Sequence, residues 1–204
     1  MTADATDLIR AFRADPADAA DAAERLAARA VSEGLVDIAY ATVETPLGTM
    51  TAATTERGLV RLALPGYSPD EVLERLATEV SPRLLELPER LDPLRRELDE
   101  YFDGSRRAFD LALDWRLTPS GFYRRVLRTA ARRLPFGVTA SYGEVAAWAG
   151  SPGASRAAGT ALARNPLPIV VPCHRVLRAG GKIGLYGGGP EMKRRLLEFE
   201  GAVA

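Results

Sequence analysis

The sequence predicts an α/β chain of the α+β kind, with a small antiparallel sheet and its helices followed by a helical half. Three observations carry this. Between Asp37 and Leu64 apolar residues alternate in short runs broken by turn residues, the period of strands. From Phe122 onward they recur every three or four positions behind serine-led caps, the period of helices. The charge divides as well, with 13 basic and 22 acidic side chains in residues 1–110 but 14 and 5 in residues 111–204. At 204 residues and 47% hydrophobic content the chain can fill one large or two small cores. Three segments are expected: an acidic, alanine-rich helical extension (1–36), a sheet domain (37–114) and a C-terminal domain (115–204).

In the extension, Leu8, Ile9, Phe12, Leu26 and Val31 have helical spacing around Asp15-Pro16, which predicts two short helices. Ile38–Val43, Thr49–Thr54 and Leu59–Leu64 read as a three-stranded antiparallel meander turned by Pro46-Leu47-Gly48 and Glu56-Arg57-Gly58. Ser68-Pro69-Asp70-Glu71 has capping-box spacing and opens a helix carrying Val72, Leu73, Leu76 and Val80. A second helix starts near Asp92-Pro93, presents Leu94, Leu98 and Tyr101, and stops at Gly104, after which Phe109–Leu113 reads as one more strand. Trp115–Pro119 is the expected linker. Thr118-Pro119-Ser120 then opens a helix with Phe122, Val126 and Ala130 on one side and Arg124, Arg125, Arg128, Arg132 and Arg133 on the others. A second capping box, Ser141-Tyr142-Gly143-Glu144, leads a helix to Gly150. After Ser151-Pro152-Gly153 a further helix over 154–163 completes a helix-turn-helix outline. Asn165-Pro166-Leu167-Pro168 breaks it. The glycine-rich stretch 180–189 reads as a loop, and Met192–Glu200 as a last helix.

One cysteine cannot form an internal disulfide, and one cysteine with one histidine cannot close a structural zinc site of such ligands. No apolar run approaches the ~20 residues that cross a bilayer. A cytoplasmic protein without membrane contact, metal or organic cofactor is expected. The basic C-terminal half is the electrostatic candidate for nucleic acid, although two oppositely charged domains that attract each other would give the same asymmetry.

Ile169-Val170-Val171-Pro172-Cys173-His174-Arg175-Val176 holds the chain's only cysteine and only histidine, so any thiol or imidazole chemistry must occur there. A thiol with a pKa of about 8.5 needs a neighbouring base or cation, and His174 is next to it. Taken alone, the pair reads more readily as a buried thiol with a hydrogen-bonded neighbour. Upstream, Ala154, Ser155, Ala157, Ala158, Gly159, Thr160 and Ala161 leave Arg156 as the only large residue in two helical turns. Such a helix could lie against a minor groove about 6 Å wide, with Arg156 projecting into the duplex, or could simply pack tightly on another helix.

Together these motifs resemble the O6-alkylguanine-DNA alkyltransferase family, the methylated-DNA–protein-cysteine methyltransferases. Pro172-Cys173-His174-Arg175-Val176 matches its active-site signature. The likeness runs from about Tyr40 to Gly201 and is densest after Phe122, through Thr139-Ala140-Ser141-Tyr142-Gly143, Ser155-Arg156-Ala157-Ala158-Gly159, Asn165-Pro166 and Tyr186-Gly187-Gly188 to Glu200. The resemblance implies a ribonuclease-H-like N-terminal domain and a helical, winged-helix-like C-terminal domain. It implies a monomer that binds duplex DNA, flips O6-alkylguanine (and O4-alkylthymine) from the stack, and moves the alkyl group irreversibly onto itself. Cys173 would be the acceptor, His174 the base acting through a water, Glu200 its orienting carboxylate, Tyr142 the proton donor to the purine, and Asn165 a brace. Arg156, with Ala154, Ser155, Ala157, Gly159, Thr160 and Arg164, would contact DNA. Pro168, Val176, Tyr186, Gly187 and Gly188 would line the pocket.

Two departures carry expectations. Phe122-Tyr123-Arg124-Arg125-Val126-Leu127 differs from the glutamine and tryptophan common at its second and last places, which reads as core adjustment. Gly187 stands where some relatives have serine, which predicts a wider pocket while leaving a backbone amide for the guanine oxygen. The competing readings are a non-catalytic module that binds alkylated DNA and recruits repair factors, a cysteine hydrolase, and a helix-turn-helix regulator.

Overall fold

The structure is a computed structural model, and it describes residues 16–202. The chain forms two compact units that divide between Asp37 and Ile38. The first contains helix α1 (Pro16–Ser32). The earlier helix expected around Leu8, Ile9 and Phe12 lies outside the described residues.

The second unit begins with β1 (Ile38–Val43), β2 (Met50–Thr55) and β3 (Gly58–Ala63), paired antiparallel as the alternation predicts. Helix α2 (Pro69–Glu79) follows. Ser68 accepts from the Glu71 backbone amide, so the serine half of the expected capping box forms. Strand β4 (Leu84–Glu86) then pairs parallel to β1 and gives the sheet order β3-β2-β1-β4, a strand the meander reading lacked. Val72 and Leu76 of α2 pack on Ile38, Ala53, Val60 and Ala63 of the sheet. A 3-10 turn (Pro88–Leu91) leads into α3 (Asp92–Phe102), which buries Leu94, Leu98 and Tyr101.

Phe109–Leu113 does not form the expected strand. It contributes a single parallel bridge, Leu59 to Leu113, in which the Leu59 amide donates to the Ala112 carbonyl at 2.8 Å. The two segments meet closely at Gly58, where a Cβ would lie 2.1 Å from the Ala112 carbonyl oxygen. The backbone bonds that join them are both at Leu59, whose amide donates to Ala112 and whose carbonyl accepts from Asp114 at 2.8 Å, so a bridge forms and not a ladder. On the same strand the Leu62 amide donates to the Pro166 carbonyl at 2.9 Å and ties β3 to the segment leading to Cys173.

The C-terminal half contains α4 (Phe122–Arg133), α5 (Tyr142–Trp148), α6 (Ser155–Ala163) and α7 (Gly189–Phe199). α4 begins behind Gly121, which has no side chain to cap it, and not at the Thr118-Pro119-Ser120 start expected. Val126, Leu127 and Ala130 fill its buried face. The Ser141–Glu144 capping box of α5 is complete in both directions. α7 starts three residues before Met192, with Pro190 in its first turn, where a missing amide costs nothing. Two short strands, β5 (Ala140–Ser141) and β6 (Val176–Leu177), pair in parallel and hold the start of α5 beside the turn that carries Cys173.

Candidate active site

The nucleophile is delivered by a strained, pinned segment. Ile169 has φ 71°, a left-handed conformation that a β-branched residue adopts at a cost of about 1–3 kcal/mol. Backbone bonds from Val170 to Pro168 and from Val171 to Leu167 hold the bend. Asn165 clamps it from the side: its Oδ1 accepts from the Leu167 amide at 3.0 Å, and its Nδ2 donates to the Val171 carbonyl at 2.8 Å and lies 3.1 Å from Cys173 Sγ. Cys173 opens a 3-10 turn with His174 and Arg175, all three buried.

Glu200 is the hub behind the thiol. It receives Nε2–H of His174 at 2.9 Å, the hydroxyl of Tyr101 at 2.6 Å, and two guanidinium bonds from Arg175 at 2.8 Å each, with the Gly137 amide at 3.3 Å. Arg175 also donates to the Leu134 carbonyl at 2.6 Å. Burial by itself would raise the Glu200 carboxyl, but its bonds to His174 and Arg175 outweigh that and hold it well below the usual carboxylate range. Burial lowers His174 despite the Glu200 bond, so the imidazole is neutral at pH 7 and Arg175 is the permanent cation of the group. His174 Nδ1 is buried with no protein partner among the described residues.

This arrangement sets a pH dependence. With His174 below its ordinary value of 6.5, the unfolded chain binds a proton that the folded one refuses, so stability falls on acidification from pH 7 towards 5. His174 is the chain's only histidine, and the slope in that window, up to about 1.4 kcal/mol per pH unit, should flatten in His174→Gln. Thermal melts of both proteins at pH 7 and 5 measure it; parallel slopes would contradict the assignment.

Burial raises the Cys173 thiol, while Asn165 and the charge of Lys193 work in the other direction. Lys193 is itself buried, donates to the Val176 carbonyl, and is pushed down to about 8 by burial. Its Nζ stands 5.9 Å from the centroid of the Tyr142 ring. Burial also raises the Tyr142 phenol, which keeps it protonated as a donor. A Cβ on Gly184 would come within 2.9 Å of the Tyr142 hydroxyl, so that glycine permits the phenol's position.

Cys173 opens onto a cavity of about 540 Å³ that Asn165, Pro168, Tyr186 and Gly187 also line. Val176 and Gly188 are not among its lining residues; Val176 is fully buried in β6, and Gly188 faces Met192 and Leu64. A Cβ at Gly187 would meet the Tyr67 hydroxyl at 3.4 Å and Leu64 at 3.7 Å, so this position faces the sheet domain. The Tyr186 hydroxyl is buried with no partner among the described residues. On α6, Ala158, Ala161 and Leu162 are buried and Gly159 packs at 3.7 Å against the Tyr142 ring, while Ser155, Arg156, Thr160 and Arg164 are exposed, with Ala154 and Ala157 half-buried. Tight packing describes one face of this helix, and an exposed face that carries Arg156 describes the other.

Residues 38–115 match the family model described as 6-O-methylguanine DNA methyltransferase, ribonuclease-like domain, and residues 121–202 match its DNA binding domain. The chain belongs to this family. Among 6-O-methylguanine DNA methyltransferase relatives, the methylated-DNA–protein-cysteine methyltransferase of Mycolicibacterium paratuberculosis is 42% identical over 163 residues, 80% of this chain and 92% of the relative. The Mus musculus protein is 40% identical over 171 residues, 79% and 81% respectively. The crystal structure of Mycobacterium tuberculosis OGT in complex with DNA matches with a TM-score of 0.69 and 36% identity, covering 80% of this chain and 93% of that one.

Sequence reasoning missed Arg175, Tyr101 and Lys193. Arg175 lay inside the quoted signature, and its fixed charge next to the single histidine was the available signal. Tyr101 offered none, being read as one residue of an apolar helix face.

Proposed function

We propose that this member of the family repairs O6-alkylguanine in duplex DNA by transferring the alkyl group to Cys173, once per molecule. The observation that carries the reading is a single thiol, braced by Asn165, between an open cavity and the buried His174–Glu200–Arg175 group. In the transfer the Sγ–carbon bond forms as the carbon–O6 bond breaks. The thiol proton passes through a water to Nδ1 of His174, the ring nitrogen with no protein partner, and the resulting imidazolium is stabilised by Glu200. Tyr142 supplies a proton to the departing purine, and Lys193 favours the thiolate electrostatically. Soft sulfur aligned behind a saturated carbon is enough for this chemistry. O4-alkylthymine offers the same type of carbon and belongs to the same reading.

Binding is through the exposed face of α6, with Arg156 filling the gap left by the flipped nucleotide. Flipping costs a few kcal/mol, so a replacement for the lost stacking lowers the barrier in duplex DNA and not on free base. Arg156→Ala is accordingly expected to slow transfer from a lesion duplex by about tenfold or more, a loss of at least ~1.4 kcal/mol, while leaving reaction with free O6-benzylguanine nearly unchanged. Single-turnover assays on both substrates check it, and equal losses would contradict the role. A reducing cytoplasm fits the free thiol, and among the described residues no helix is long and apolar enough to cross a membrane.

The deciding experiment mixes the protein with a duplex carrying O6-methylguanine and reads intact and peptide masses. A gain of one methyl on Cys173 is expected; an unmodified, folded protein that still binds the duplex would favour the non-catalytic module.

A further inference from the structure

The cavity at Cys173 is far larger than a methyl group requires, about 540 Å³ against roughly 10–15 Å³ for a single water-sized group. Gly187, Arg61, Tyr67, Arg75 and Glu79 line the same cavity as Cys173. The connection is contiguous: Gly187 faces the Tyr67 hydroxyl, and the Arg61 guanidinium lies over the Tyr67 ring, 5.7 Å from its centroid. Arg61 is anchored, because the neighbouring Leu62 amide is bonded to Pro166 at the root of the active-site segment.

The charges along this arm are unequally matched. Arg75 and Glu79 pair with each other at 3.0 Å, and Glu71 and Arg164 stand exposed where they line the cavity. Arg61 is half-buried and, among the described residues, makes no ion pair and no side-chain hydrogen bond. Burial and the Arg75 charge lower its pKa while Tyr67 and Glu79 act in the other direction, and a guanidinium stays charged at neutral pH. An unpaired, partly desolvated cation facing a cavity that contains the nucleophile is costly unless an anion arrives there.

Attack from behind the carbon–oxygen bond fixes Sγ, the carbon and O6 in a line, so the remainder of a long substituent must leave sideways. The open side at Cys173 is this cavity. We infer that its far end is an anion subsite, and that Arg61 makes the protein favour O6 substituents that end in a carboxylate over neutral ones of the same length. The inference rests on alkyl transfer to Cys173. Arg61 would neutralise a tail that otherwise repels the forming thiolate in a low-dielectric site. The tail carboxylate does not react and stays bound to Arg61 after the carbon moves to sulfur.

Duplexes carrying O6-carboxymethyl- and O6-(3-carboxypropyl)guanine, each with its carbamoyl isostere, test this by single-turnover transfer to Cys173 in the wild type, Arg61→Met and Arg61→Lys. In the wild type the acid should outpace the amide at one chain length or both. Arg61→Met should cut that ratio roughly ten- to a hundredfold, the worth of one charge-assisted hydrogen bond, and Arg61→Lys should restore most of it. An unchanged ratio in Arg61→Met, or a wild type that prefers the amide at both lengths, overturns the subsite. So does an Arg61→Met protein that loses methyl transfer as well, because Arg61 would then be supporting the fold. O6-methylguanine is the control for the underlying reading: no methyl transfer even by the wild type would mean that alkyl transfer itself fails.

Discussion

Replacing Cys173 by alanine is expected to abolish alkyl transfer and to leave a folded protein that still retains a lesion duplex. Cys173 is the chain's only thiol, and no other soft nucleophile faces the cavity. The structural cost is small. The sulfur gives up one bond from Asn165 Nδ2, which keeps the Val171 carbonyl as an acceptor at 2.8 Å. A loss of about 1 kcal/mol in stability is therefore expected. Cys173→Ser should be almost as inert, since a hydroxyl beside neutral His174 is a hard and weakly acidic nucleophile. Peptide masses after incubation with O6-methylguanine duplex, together with a band-shift titration, read both halves of the expectation. Methyl transfer to another residue at a comparable rate would remove Cys173 from the mechanism.

Glu200→Gln should be the most damaging conservative change in the molecule. It keeps the shape but deprives Arg175 of its carboxylate in a site where both side chains are buried, and it presents an amide N–H to groups that are all donors: Tyr101, His174, Arg175 and Gly137. Breaking a buried pair costs about 3–5 kcal/mol. At 2–4 °C per kcal/mol for a chain of this size, Tm should fall by roughly 6–20 °C. The pH behaviour identifies the cause. The folded Glu200 carboxyl lies well below its ordinary value of 4.5, so its contribution is complete above about that pH and is lost as the pH falls further. The gap between wild-type and Glu200→Gln melting temperatures should therefore narrow below pH 4. A constant gap from pH 7 to 3.5 would mean that packing, and not charge, is responsible. Transfer should slow as well, because the His174 ring loses the anion that favours its protonated form.

Features encoded within a few residues were legible in the sequence. The Ser141–Glu144 capping box formed in full, because both of its bonds join groups three positions apart. The alternation of 38–63 produced the three antiparallel strands, because each pairs with its neighbour in the chain across a short turn. β4 was not legible: three residues cannot display a period, and its partner Ile38 lies far upstream of Leu84. Phe109, Leu111 and Leu113 did alternate, yet the neighbouring strand offered one bridge at Leu59 and no ladder. At the site, Cys173, His174 and Glu200 were readable through family likeness, but the links from Glu200 to Tyr101 and Arg175 were not, since a buried hydrogen-bond hub imposes no spacing on the chain. α6 had two competing readings, and the structure packs Ala158, Ala161 and Leu162 into the core while Arg156 stands exposed on the other face.

The bond between Tyr101 and Glu200 joins residues 99 positions apart, and that separation makes chemical reactivity a reporter of chain assembly. The imidazole beside the thiol is oriented only once the end of α7 has come back against α3 and Arg175 has closed on the same carboxylate. A chain still being synthesised, or one whose last helix has peeled away, carries an ordinary cysteine with no partner to activate it. Uptake of a single labelled alkyl group therefore counts molecules that have completed the fold, one mark per chain, and the mark stays after the chain later opens.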